Sequence, residues 1–183
     1  DGAHEDVLSE VISLSGDHVT MMPLSEVKGV STHSKVALLS EALKLSVGDG
    51  LLGRVIDPLG NAVDGGPRAN CNPNHGFSGR QIEPLKRRSV EQPLDVGVRA
   101  INGVLTLAKG QRVGLIAGSG VGKSTLLGMI TRFTAADVVV LALVGERGRE
   151  ASEFLTEVLG SEGIKKSVVV LATSEKPAVV RKR

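Results

Sequence analysis

The chain has 183 residues, room for one fair-sized domain or a small domain with part of a larger one. A net charge of +2 gives no electrostatic case for nucleic acid or a membrane surface as main partner, and the lack of Trp and Tyr removes the stacking platforms of single-strand binders. A lone cysteine excludes an internal disulfide, the opening "DGAHEDV" has no signal-segment pattern, and no apolar run approaches ~18 residues; a cytoplasmic protein is expected.

Residues 1–66 carry short β-like runs, VLSEVISL (7–14), HVTMMPL (18–24), KVALLSE (35–41) and LLGRVID (51–57), divided by turn-prone pieces such as SGD, GDG and DPLGN. GRVIDPLGNAVD reads as a hairpin, with Pro58 and Gly60 turning the chain between Val55-Ile56 and Ala62-Val63. The spacing predicts a small antiparallel sheet or barrel. Residues 67–92 are rich in Gly, Pro, Asn and charge without a sustained period, which predicts a linker or surface excursion.

Within residues 93–183, from about Gly110, the chain changes to a βαβαβ pattern. RVGLI (112–116) is a short apolar run ending on a Gly-rich loop, and 123–134 reads as a helix with Leu126, Leu127, Ile130 and Phe133 on one face. DVVVLALV (137–144) is continuously apolar and β-branched, as a parallel strand covered on both faces requires. A second helix follows from about Glu150, with Ala151, Phe154, Leu155, Val158 and Leu159 at helical spacing and Gly160 at the C-terminal cap position. SVVVLA (167–172) is the third buried strand. The alternation predicts an α/β fold with a parallel sheet and right-handed crossovers.

The Gly-rich loop fits G-x-x-x-x-G-K-[ST] over residues 117–124, with Ala117 in place of the first glycine. A polyphosphate needs successive backbone N–H groups turned inward, which Gly118, Gly120 and Gly122 permit, with Ser119 and Val121 between them. The helix that begins near Lys123 adds its free N-terminal amides. Lys123 suits the β- and γ-phosphate oxygens, Ser124 offers a Mg²⁺ ligand, and Thr125 reaches toward an α-phosphate. The bland alternative is a glycine turn joining a strand to a helix; the strand–loop–helix setting favours phosphate binding, hence ATP with Mg²⁺.

VGERGRE (144–150) closes the second apolar strand, where α/β sheets place ligands. Glu146 there can orient or deprotonate a water, and Arg147 and Arg149 can bind phosphate or brace the glutamate. A solvated charge cluster capping the next helix, with Glu150 in its first turn, explains the same residues equally well on spacing alone.

PLDVGVRAINGVLTLAKGQRVGLIAGSGVGKSTLLGMITR (93–132) and ADVVVLALVGERGREASEFL (136–155) resemble the export ATPases of type III secretion systems, relatives of the catalytic β subunit of rotary ATP synthases. VISLSGDHVTMMPLSEVKGV (11–30) and GDGLLGRVIDPLGNAVDG (48–65) resemble that family's N-terminal β-barrel, and AGSGVGKS is nearest the flagellar members. The resemblance implies an incomplete N-terminal β-barrel followed by the first part of a RecA-like P-loop NTPase sheet with flanking helices. It implies a homohexameric ATPase at the cytoplasmic face of the inner membrane, working with the flagellar export gate, regulatory and stalk proteins, export substrates and chaperones. It assigns Gly118 to Thr125 to the phosphate loop, Glu146 to the catalytic glutamate, and Arg147 to the neighbour that approaches the γ-phosphate.

The family's second carboxylate motif, which positions Mg²⁺, has no counterpart after Ala172, and its trans-acting arginine, adenine pocket and helical C-terminal domain have none either. The chain is therefore expected to be less than half of a family member, and nearly inactive alone. The rival readings are a rotary synthase or virulence-type export subunit, a non-catalytic nucleotide-binding ring subunit, and an RNA-acting ring helicase. Even charge and scarce aromatics disfavour the last. His4, His18, His33 and His75 lack zinc spacing, Cys71 lies in a polar stretch, and the basic run at 86–88 is flanked by acidic residues.

Overall fold

The computed structural model describes residues 6–39, 44–76, 82–118 and 120–182. Strand β1 (Ser9–Ser15) turns through Gly16 and Asp17 into β2 (His18–Pro23), and the two pair antiparallel from Ser15–His18 to Ser9–Pro23. Gly16 takes φ +55°, the left-handed conformation that a two-residue hairpin turn demands. This hairpin forms a sheet of its own, and Leu14 stays 73% exposed. β3 (Lys44–Val47) pairs antiparallel with β5 (Asn72–Gly76) in a second two-stranded sheet. No strand forms over 35–39 of KVALLSE, whose Val36, Leu38 and Leu39 are exposed; residues 40–41 lie outside the described residues.

β4 (Val55–Ile56) bonds on two sides, one expected from the sequence and one not. It makes the expected turn, with an Ile56–Ala62 bridge and the Val63 N–H donating to the Val55 carbonyl at 2.9 Å. It also lies parallel to β7 (Ser167–Ala172), Val55 beside Val169 and Ile56 beside Val170. β6 (Val139–Val144) pairs parallel along the other edge of β7, so the sheet order is β4-β7-β6. These are the β-branched runs the sequence marks as parallel strands.

Helix α1 (Lys123–Phe133) follows the glycine loop as expected. Helix α2 (Gly148–Glu153) continues into a π-helical turn, Phe154–Leu159; Gly160 then takes φ +63°, and helix resumes as α3 (Gly160–Lys165). Gly160 thus breaks the helix where a cap belongs, but helical structure runs on to Lys165, past the end that the periodicity implies. A short helix α4 (Ala178–Arg181) follows β7.

One sheet face is sealed. Leu141, Leu143 and Val169, joined by Val55, pack under Ala151, Phe154 and Leu159, with Leu127 of α1 at the margin. Each fully buried Leu or Val of this kind stabilises by about 1.5–3 kcal/mol. The opposite face, with Val138, Val140, Val168 and Val170, opens on an apolar groove whose other wall is Leu45, Val47, Leu51 and Leu52. Phe133 is an exception to the expected helix face: it is 55% exposed, whereas Gly128 and Thr131 are the α1 residues that go inside. Thr131 can do so because its hydroxyl donates to the Leu127 carbonyl at 2.9 Å.

Candidate phosphate-binding site

Residues 111–118 run without strand pairing among the described residues, and Val113 and Ile116 are exposed. RVGLI therefore does not form the strand its composition predicts. Among the described residues the sheet ends at β4 and β6, and neither bonds to 112–116, so no ladder fixes this run as a strand. The apolar character of 112–116 is right for a strand; the partner is what is lacking among the described residues.

The loop itself has the expected backbone. Gly120 takes φ +75° and Gly122 φ +95°, both in the left-handed region that L side chains avoid. At Gly118, Gly120 and Gly122 an added Cβ would meet nothing within 4 Å, so the backbone lines open space. Gly122 is the N-cap residue of α1, with no side-chain cap, which leaves the first-turn amides facing that space. Lys123, Ser124 and Thr125 are exposed on the first turn. An eleven-residue helix directs its positive end at this position. Open space, left-handed glycines, free amides and a lysine form an anion cradle, and they fit a phosphate chain. Ser119 lies outside the described residues.

The second element follows from topology. Residues 134–138 join the end of α1 to the start of β6, a link short enough that helix and strand run antiparallel. The start of α1 and the carboxyl end of β6 therefore share one end of the sheet. Glu146 stands there, partly buried, one residue beyond Gly145 at φ +78°. Two backbone bonds fix its place: the Gly145 N–H donates to the Ala172 carbonyl at 2.7 Å, and the Ser174 N–H donates to the Glu146 carbonyl at 2.9 Å. Arg147 is exposed and donates to Glu150 at 3.3 Å, while Arg149 pairs with Glu153 at 2.9 Å. The arginines thus brace the first turns of α2, as the bland reading had it, and Glu146 is left out of that network.

Sequence reasoning missed the loop after β7. Glu175 has its carboxyl held below the usual range, chiefly by the Thr173 hydroxyl and also by the Gly148 amide at the start of α2. Together with Ser174 it ties the end of β7 to the segment that carries Glu146. An acidic residue three positions past an apolar strand was the available signal. Among the described residues no group of three or more His, Cys, Asp or Glu is placed to hold a metal, and no helix is long and apolar enough to cross a membrane.

Residues 97–183 match the nucleotide-binding domain of the ATP synthase alpha/beta family. Over 96% of its length the chain is 50% identical to a flagellum-specific ATP synthase of Aquifex aeolicus, of which it spans 39%. Among solved structures it is similar to the assembled ATPase EscN of the enteropathogenic E. coli type III secretion system. The TM-score is 0.85 at 43% identity, covering 98% of this chain and 43% of that one. EscN in complex with its central stalk EscO gives a TM-score of 0.86 at 44% identity, covering 96% of this chain and 43% of that one. The chain thus spans about two-fifths of the length of the relatives it matches. Sequence, fold and the glycine loop agree that this chain is similar, over nearly its whole length, to flagellum-specific ATP synthases and type III secretion ATPases, with residues 97–183 matching the ATP synthase alpha/beta nucleotide-binding domain.

Proposed function

We propose that the protein carrying this chain is an ATP-hydrolysing subunit of the flagellar protein export apparatus, energising delivery of export substrates. The observation that supports this most is the phosphate cradle at the start of α1, in a chain half identical to a flagellum-specific ATP synthase. Gly118 to Gly122 wrap the phosphates with backbone amides, Lys123 neutralises the β- and γ-oxygens, and Thr125 lies toward the α-phosphate. Glu146 takes up the proton of the attacking water or holds that water in line. Arg147 swings from Glu150 toward the γ-phosphate as charge develops there. Ser124 would offer its hydroxyl to Mg²⁺, which when bound would offset the negative charge of the phosphates.

By the same reasoning the subunits form a homohexameric ring. The domain reading is 1–66 (part of a β-barrel), 67–92 (linker) and 93–183 (part of a RecA-like domain), with β4 of the first pairing onto β7 of the third and β5 of the linker pairing back onto β3. EscN is described as assembled and with a central stalk, which supports a ring with a stalk partner here. Export-gate proteins, chaperones and a peripheral place at the inner membrane belong to this proposal.

The test is ATP turnover by the whole protein with and without Lys123→Ala. Turnover that depends on Lys123 and is indifferent to RNA supports the reading; lysine-independent or RNA-stimulated turnover removes it.

A further inference from the structure

The segment ahead of the glycine loop is folded back on itself and fastened at two places. Pro93 bridges Ala108, the Leu94 N–H donates to the Leu107 carbonyl at 2.8 Å, and the Lys109 N–H donates to the Gln92 carbonyl at 2.8 Å. That neck lies just before Arg112, where the approach to the loop begins. The same strand of chain reaches the far end of α1. The Asp95 carbonyl accepts from the Ala135 N–H at 2.8 Å and from the Thr134 hydroxyl at 3.2 Å.

Side chains lock the shape between these two anchors. Asp95 Oδ1 accepts from the Asn102 amide at 2.6 Å and from the Gly97 N–H at 2.7 Å, and Asn102 Oδ1 accepts from the Val96 N–H at 3.1 Å. Gly97 is left-handed at φ +71°, and a Cβ there would stand 2.6 Å from the Phe133 carbonyl oxygen. Val96 and Val98, on either side, are buried. The Asp95 carboxyl is held below its ordinary range by the Gly97 N–H and then the Asn102 amide, which favour the ionised form.

Residues 92–95 therefore touch both the chain entering the glycine loop and the residues that follow α1. Residues 111–118 have no sheet partner among the described residues, and the strut is a hydrogen-bonded link between entry and exit. We propose that Asp95 and Asn102 are positioning residues for the phosphate loop, holding its approach and its helix in the spacing that accepts a nucleotide's phosphates. This rests on the reading of the loop as a nucleotide site. By linkage, a nucleotide that selects the braced geometry also tightens the brace.

The experiment compares ADP affinity, KM for ATP and kcat in the whole protein for wild type, Asp95→Ala, Asn102→Ala, Asp95→Asn and Lys123→Ala. Both Asp95→Ala and Asn102→Ala weaken ADP binding about fivefold or more, the lower end of coupling between linked sites, with KM rising more than kcat falls. Asp95→Asn keeps the Oδ1 acceptor and stays near wild type. If Lys123→Ala loses ADP while both alanine variants bind it like wild type, the brace is idle and only the nucleotide reading survives. A wild type that binds no ADP ends both. Hydrogen exchange on wild type needs no variant to fold: ADP slows the Val96 and Gly97 amides, and unchanged exchange there overturns the proposal.

Discussion

Gly128 of α1 lies directly against Val158 of the π-helical turn, so close that a Cβ at position 128 would overlap the valine side chain. The Val158 carbonyl oxygen lies 3.4 Å from that point, an ordinary contact, so the obstruction is the stiff β-branched side chain. The contact sets how near α1 approaches the helix that covers the sheet.

Gly128→Ala accordingly lowers stability by about 1–3 kcal/mol, the usual cost of overpacking, despite alanine's better helix propensity. Thermal unfolding of the variant against wild type checks this. A rise in melting temperature would mean the helices can simply move apart.

Glu146 carries the proposed chemistry but no phosphate contact of its own. Glu146→Gln in the whole protein therefore keeps nucleotide affinity and loses turnover by about 10²–10⁴, the range for a positioned acid–base group. Equilibrium binding alongside steady-state turnover separates the two effects. Parallel loss of both would place Glu146 in binding instead.

Arg54 and Asp64 form a two-pronged pair, at 2.7 and 2.8 Å, that closes the β4 hairpin, and Asp64 also accepts from the Val55 and Gly66 amides. The Arg54 guanidinium, first among these partners, holds the Asp64 carboxyl well below the ordinary carboxylate range. A carboxyl depressed on folding adds stability that is whole above its unfolded pKa of about 4 and is lost as pH falls through the folded value. Asp64→Asn is thus less stable than wild type at neutral pH, and the gap narrows steadily as pH drops below about 4. Chemical denaturation across that window measures it. A constant gap would show that the charge is not what matters.

In the 183-residue chain, β7 is flanked on both sides whereas residues 112–116 have no strand partner among the described residues. Hydrogen exchange should find the Val169 amide, which donates to the Arg54 carbonyl at 3.0 Å, among the slowest, and 112–116 among the fastest. Comparable protection in the two would place 112–116 inside a sheet.

What the sequence reveals here divides by range. β6, β7, α1 and the helix from Gly148 are legible because local periodicity and continuous β-branched runs specify them. The pairing of Val55 with Val169 is not, since two residues in a turn-rich stretch carry no mark of a distant parallel partner. β5 reads as loop because Asn-Pro-Asn-His-Gly has little β propensity; its pairing with β3 makes it a strand. The left-handed turns of the glycine loop are legible because only glycines at fixed offsets take them readily. Asp95 and Glu175 are ordinary polar residues in loops and Asn102 lies in the helical turn Ile101–Leu105, so only their contacts distinguish them.

The most direct measurement is a structure of the whole protein with Mg²⁺ and a non-hydrolysable ATP analogue. The account predicts the β- and γ-phosphates seated on the amides of 120–124, with the Lys123 ammonium in contact. Phosphates bound elsewhere, with the glycine loop standing empty beside α1, would contradict it.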